Sequence, residues 1–165
     1  MSGSPAANRP REAASARRAA RLAAAQALYQ IELTGAAAAT VLEEFLHHRL
    51  GADAEAGGLA GADRALFADL VEGTWRQRRE IDRMLSQALI ESWPLNRLDA
   101  TLRAILRVGV YELLAHGEVP VPVVINEYIE LAHAFFGGKE PGLVNAVLDR
   151  IAPAARQPQA QGDEG

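Results

Sequence analysis

Three arginines near the start of the chain are the residues best placed to do chemistry. Arg17, Arg18 and Arg21 fall within about one helical turn, with Arg17 and Arg21 four residues apart. Cations grouped at the beginning of a helix oppose its dipole and gain little from local structure. An anionic partner would explain them; a solvated basic face that aids solubility is the equal alternative. Arginine offers planar, multidentate contacts to phosphate and stacks on bases, so the partner they suggest is a nucleic acid. Tyr29 follows on the same stretch. A helical tyrosine is more often a core residue than a stacking platform, and this one gains interest from sharing a helix with the arginines.

Other candidates carry less. Arg76, Arg78, Arg79 and Arg83 are interleaved with Glu72, Glu80 and Asp82. That pattern suits helix-surface ion pairs. His47, His48, His116 and His133 make no metal-ligand spacing with one another or with a carboxylate on the same face, so neither metal nor cofactor is expected. Asn126 and Asn145 suit hydrogen bonds that cap or bridge helices. Glu127 and Glu130 lie one turn apart and, with His133, are the most that could be offered for acid–base chemistry. No nucleophile or oxyanion site accompanies them, so a binding protein is expected rather than a hydrolase or any other enzyme.

The elements that position these residues read as helices throughout. The chain has 165 residues, 49% of them hydrophobic and only 5% aromatic. Alanine and leucine abound, and strict apolar alternation is missing, which predicts an all-α fold. The absence of cysteine excludes disulfides and thiol chemistry. No apolar stretch is long enough to span a bilayer and no secretory signal is evident, so the cytoplasm is the expected compartment. Net charge is −4, yet the first 21 residues carry five arginines against Glu12 alone. A basic head on an acidic body is the pattern to explain.

Residues 1–14 are expected to form a disordered basic arm and residues 153–165 a disordered tail. Between them six or seven helices are predicted. The first starts at Ser15, turns Leu22, Tyr29 and Leu33 to one apolar side and ends at Gly35. Thr40 to Glu43 is a capping-box pattern opening a short helix, and residues 51–61 read as a loop. One long helix is predicted over 62–90, with Gly73 marking a kink or a close crossing. Asp99 caps the next, whose Gly109 lets a neighbour approach. Pro120 and Pro122 lead into another, ended by Gly137 and Gly138, and Pro141 suits the first turn of the last.

Four segments together resemble the NusB family of transcription antitermination factors: RRAARLAAAQALYQIEL, LRVGVYELL, VPVPVVINEYIELAHAFFG and LVNAVLDRI, in that order. They span most of residues 15–152. The resemblance implies a compact all-α bundle of two packed helical subdomains. It implies binding of single-stranded boxA RNA in ribosomal RNA leaders, jointly with NusE, a small-subunit ribosomal protein. Through that complex it implies indirect partnership with NusA, NusG and RNA polymerase. Some members also self-associate, so a homodimer without a direct RNA role is the alternative. By position, Arg17, Arg18, Arg21, Tyr29, Arg103, Lys139 and Leu143 match RNA-contacting or RNA-proximal places. Two places depart from the family pattern. Gly142 and Leu143 stand where well-known members have Lys and Phe, with Lys139 in the same short loop, and Leu102 stands at an acidic position. A related domain fused to ribosomal RNA cytosine methyltransferases fits poorly, because this chain offers no cysteine nucleophile and no cofactor-binding segment.

Overall fold

A computed structural model describes residues 5–50, 59, 61–90 and 92–157. Among these it has seven α-helices and no strand: α1 (Pro5–Thr34), α2 (Ala38–Glu44), α3 (Arg64–Arg76), α4 (Arg78–Ala88), α5 (Ala100–Ala115), α6 (Val121–Phe135) and α7 (Glu140–Ala155). A π-helical turn, Phe45–Arg49, extends α2, and a 3-10 turn, Leu95–Arg97, precedes α5. The chain divides into two compact units, residues 1–77 and 78–165. No helix among the described residues is long and apolar enough to cross a membrane.

The first unit is built on α1, which packs chiefly on α3. Its buried side is alanine: Ala20, Ala23, Ala24 and Ala27 are fully covered, joined by Leu28 and Ile31. Small side chains let the α3 backbone come close, and Phe67, Leu70 and Val71 of α3 fill the space opposite. The predicted apolar side is therefore corrected. Leu22 and Tyr29 are only half-buried and Leu33 is 65% exposed. Periodicity alone favoured the larger side chains, but close helix packing selects the smaller ones.

Three predicted boundaries shift. The first helix begins at Pro5 rather than Ser15, because its alanine-rich lead favours helix and Pro10 sits on an exposed stretch where water replaces the lost hydrogen bond. Residues 1–4 of the expected arm and 158–165 of the expected tail lie outside the described residues. The second helix starts at Ala38 with no side-chain cap, so Thr40 lies within its first turn and the capping box is not formed. Gly35, at φ +72°, ends α1 as expected, since only glycine adopts that conformation without strain. The predicted long helix over 62–90 is two helices. Gln77, at φ −99° and ψ 14°, leaves helical geometry between α3 and α4, four residues past the buried Gly73. Of the expected loop, residues 51–58 lie outside the described residues, while Leu59 is buried.

The second unit packs α5, α6 and α7 tightly together. Gly109 in α5 is where they meet. A Cβ placed there would lie 3.0 Å from Leu148 Cδ1 and 3.4 Å from Tyr128 Cγ, so the predicted close approach is real. Asp99 caps α5 by accepting from Thr101 N at 2.8 Å and Leu102 N at 3.3 Å. Pro122 and Pro141 occupy the first turns of α6 and α7. The last helix runs through the exposed Pro153 to Ala155. Arg156, expected in a loose tail, instead donates to the carbonyls of Leu113, His116 (3.0 Å) and Gly117 (3.4 Å). It thereby caps the C-terminal end of α5, whose last carbonyls lack helical partners.

Candidate nucleic-acid interface

The sequence-predicted residues fall in both units. In the first, Arg17 and Arg18 are exposed on α1, before the helix enters its packed region. Arg21, one turn later, is only 5% exposed. It lies next to Ala20 at the edge of the alanine face, and it has an interaction within the protein, as Arg18 also does. The three arginines are therefore not one exposed cluster: two face solvent and one belongs to the body.

Arg18 and Tyr29 are eleven residues apart, about three turns and roughly 16 Å along the axis. That spacing returns to nearly the same side of a helix. Arg11 is seven residues before Arg18 and shares this side, and it too is exposed. Leu22 and Leu33 fall on it as well. Opposite the alanine face, α1 therefore presents cations followed by half-buried and exposed apolar and aromatic side chains. Charge attracts a phosphate backbone, and an aromatic ring receives an unstacked base.

In the second unit, Lys139 is exposed at the start of α7, where its carbonyl accepts from Leu143 N at 3.0 Å. Leu143 is half-buried and Gly142 exposed. Leu102 is 2% exposed and is part of the core, so its side chain reaches the surface only at the bottom of a cavity. Arg103 is committed locally: its Nη1 donates to Leu95 O at 3.0 Å and to Leu98 O at 2.8 Å. This clamps the 3-10 turn to α5 and makes Arg103 a positioning residue.

The interleaved charges on α4 are resolved as structural pairs. Arg83 binds Glu80 through Nε at 2.8 Å, and the guanidinium holds the Glu80 carboxyl below the usual carboxylate range. Asp82 turns to α5, where Arg107 grips it twice, at 2.8 Å and 2.9 Å. Asn126 and Asn145 are exposed rather than set between helices. His116 lies 3.2 Å from Glu118, and Glu43 and His47 approach to 4.0 Å.

Two features escaped sequence reasoning. Tyr128 donates to Glu112 at 2.6 Å inside the second unit, where Glu112 is 1% exposed. No local pattern distinguishes this glutamate from a surface one. Phe135 is 42% exposed at the end of α6, its ring 6.4 Å from that of Phe136. Two adjacent phenylalanines before two glycines were the only signal, since both cannot turn to the core.

The NusB family model matches residues 18–153. The chain belongs to the NusB family. Among curated relatives, the transcription antitermination protein NusB of Maricaulis maris is 50% identical over 153 residues, 93% of each chain. That of Rhizobium rhizogenes is 47% identical over 148 residues, covering 90% of this chain and 92% of its own. Among solved structures, T. maritima NusB is 33% identical, covers 82% of this chain and 89% of its own, and superposes with a TM-score of 0.69. A complex of antitermination factors NusB and NusE with dsRNA shares the fold, at 24% identity and a TM-score of 0.69, covering 84% of this chain and 97% of that one.

Proposed function

We propose that this protein is an RNA-binding antitermination factor that acts with NusE on the boxA RNA of ribosomal RNA leaders. The observation that carries this reading is the outward side of α1, where exposed Arg18 and half-buried Tyr29 line up opposite the alanine face in a NusB family chain. Arg17 and Arg18 neutralise phosphates, and Tyr29 receives a base. Arg21, nearly buried, holds the helix in the body and does not meet phosphate. In the second unit Lys139 adds a cation, with Leu143 and Phe135 as apolar neighbours of the RNA. Arg103 supports that unit by fixing the turn before α5.

The acidic remainder of the chain discourages indiscriminate RNA binding and favours a basic ribosomal partner. A joint surface with NusE holds RNA more tightly than either protein alone, through coupling rather than catalysis. The assembled complex then engages NusA, NusG and RNA polymerase in the cytoplasm.

The test is RNA binding at moderate salt, with and without NusE, using a boxA-like oligomer and a scrambled control. Selective binding that tightens with NusE is the expected result. Equal affinity for both oligomers in the presence of NusE overturns the reading. One observation favours self-association instead: Leu33, 65% exposed, lies on the same side of α1 as Tyr29. Light scattering of the free protein at micromolar concentration decides this, and a monomer rejects the homodimer.

A further inference from the structure

At the start of α5 a cavity of about 160 Å³ opens among Trp93, Arg97, Leu98, Asp99, Leu102 and Glu140. Leu98 and Leu102, 8% and 2% exposed, form its floor. The half-buried Trp93 and Glu140 stand at its sides, and the exposed Arg97 and Asp99 at its rim. Its walls come from three braced pieces of chain. Arg103 ties the 3-10 turn down through the Leu95 and Leu98 carbonyls. Asp99 is fixed by capping α5. Glu140 is in the first turn of α7, beside the exposed Lys139.

We propose that this cavity binds one unstacked cytosine of single-stranded RNA, an inference that rests on the RNA-binding reading above. Size comes first. A cavity of roughly 150 Å³ takes a benzene-sized ring, which makes this one suited to a pyrimidine. An indole beside an apolar floor receives such a ring by stacking. The polar groups then choose between pyrimidines. Asp99 and Glu140 bring carboxylate oxygens, which accept hydrogen bonds. Asp99 Oδ1 is used by the backbone, which leaves Oδ2. Cytosine presents an amino group that donates to carboxylates, whereas uracil presents a carbonyl at the same place and is repelled. Arg97 at the rim and Lys139 next to Glu140 suit the flanking phosphates. An arginine side chain from a protein partner would use the carboxylates and the indole, but it would face these two cations.

The probes are hexamers of cytidine and of uridine, titrated against the full chain. The wild-type protein is expected to prefer the cytidine hexamer by roughly tenfold. The double variant Asp99→Ser, Glu140→Ala brings that ratio to about one, while serine preserves the helix cap. The ratio is the readout because removing two negative charges strengthens binding of both hexamers. Trp93→Leu weakens the cytidine hexamer by roughly tenfold through lost stacking and leaves its salt dependence unchanged, as no charge is altered. Equal wild-type binding of the two hexamers, or a preference that survives the double variant, overturns the cytosine pocket and leaves the broader RNA reading intact. Loss of NusE affinity in these variants without loss of cytidine preference also overturns it, in favour of a protein side chain. If the wild-type chain binds neither hexamer at low salt, the pocket falls together with the RNA reading.

Discussion

The two units use arginine in opposite ways. In the first, Arg17 and Arg18 stand exposed on α1, on a stretch of helix that packs little. In the second, Arg103 and Arg156 donate to backbone carbonyls, Arg107 clasps Asp82, and Arg150 on α7 reaches Ala88 O at 2.8 Å. These four guanidiniums of the second unit tie helices and turns together, whereas Arg17 and Arg18 of the first stand exposed, Arg18 with an interaction of its own within the protein. The same residue type therefore predicts affinity at Arg17 and Arg18 and stability at Arg103, Arg107, Arg150 and Arg156.

The largest effect is expected from Arg156→Ala. It removes the donor to the end of α5 and lowers unfolding free energy by about 2–4 kcal/mol, given roughly 1.5–3 kcal/mol for a hydrogen bond from a charged group. Urea denaturation measures it, and RNA affinity of the folded variant stays at the wild-type value. Tyr128→Phe comes next. It takes one hydrogen bond from buried Glu112, which keeps another interaction within the protein, and costs about 0.5–1.5 kcal/mol, the usual net value of one hydrogen bond. A loss below about 0.5 kcal/mol would mean that this hydrogen bond adds nothing to the stability of the fold. Arg17→Ala with Arg18→Ala reverses the pattern. Stability changes by less than about 0.5 kcal/mol, as for exposed substitutions generally. RNA binding weakens, and the slope of log affinity against log salt falls by about 1.4 for two phosphate contacts on a single strand.

The smallest effect is electrostatic. Glu80 is held low by the hydrogen bond from Arg83, and Glu118 by a backbone hydrogen bond and then by His116. Both folded-state values lie below the ordinary 4.5, so their contribution is present above that pH and is lost on acidification. Both groups are exposed, so solvent screens them and the gain is slight. The melting temperature of Glu80→Gln with Glu118→Gln should sit just under wild type at neutral pH and converge with it well below pH 4.5. A gap that persists in acid would assign the difference to something other than charge.

Local chemistry was legible in the sequence, and partner choice was not. The Asp99 cap, the Gly35 stop and the first-turn Pro141 each act within a turn of their own position, so their types announced them. On α1, Leu22 and Leu33 outweigh alanines on any hydropathy scale, so periodicity turns them inward, whereas tight packing against α3 needs the alanines. Arg21 illustrates the same point. Its spacing from Arg17 is that of one helical face, yet the helix enters the core between them. The break at Gln77 carries neither proline nor glycine. The candidate RNA residues came from type and family likeness, and only the fold separated the outward Arg18 and Tyr29 from the clamped Arg103.

The contrast between the two units is tested most directly by salt titration of RNA binding for wild type, Arg17→Ala with Arg18→Ala, and Arg156→Ala side by side. The slope should fall only in the α1 variant, while Arg156→Ala, although less stable, keeps the wild-type slope. Equal slopes for wild type and the α1 variant would contradict the assignment of the outward side of α1 to RNA.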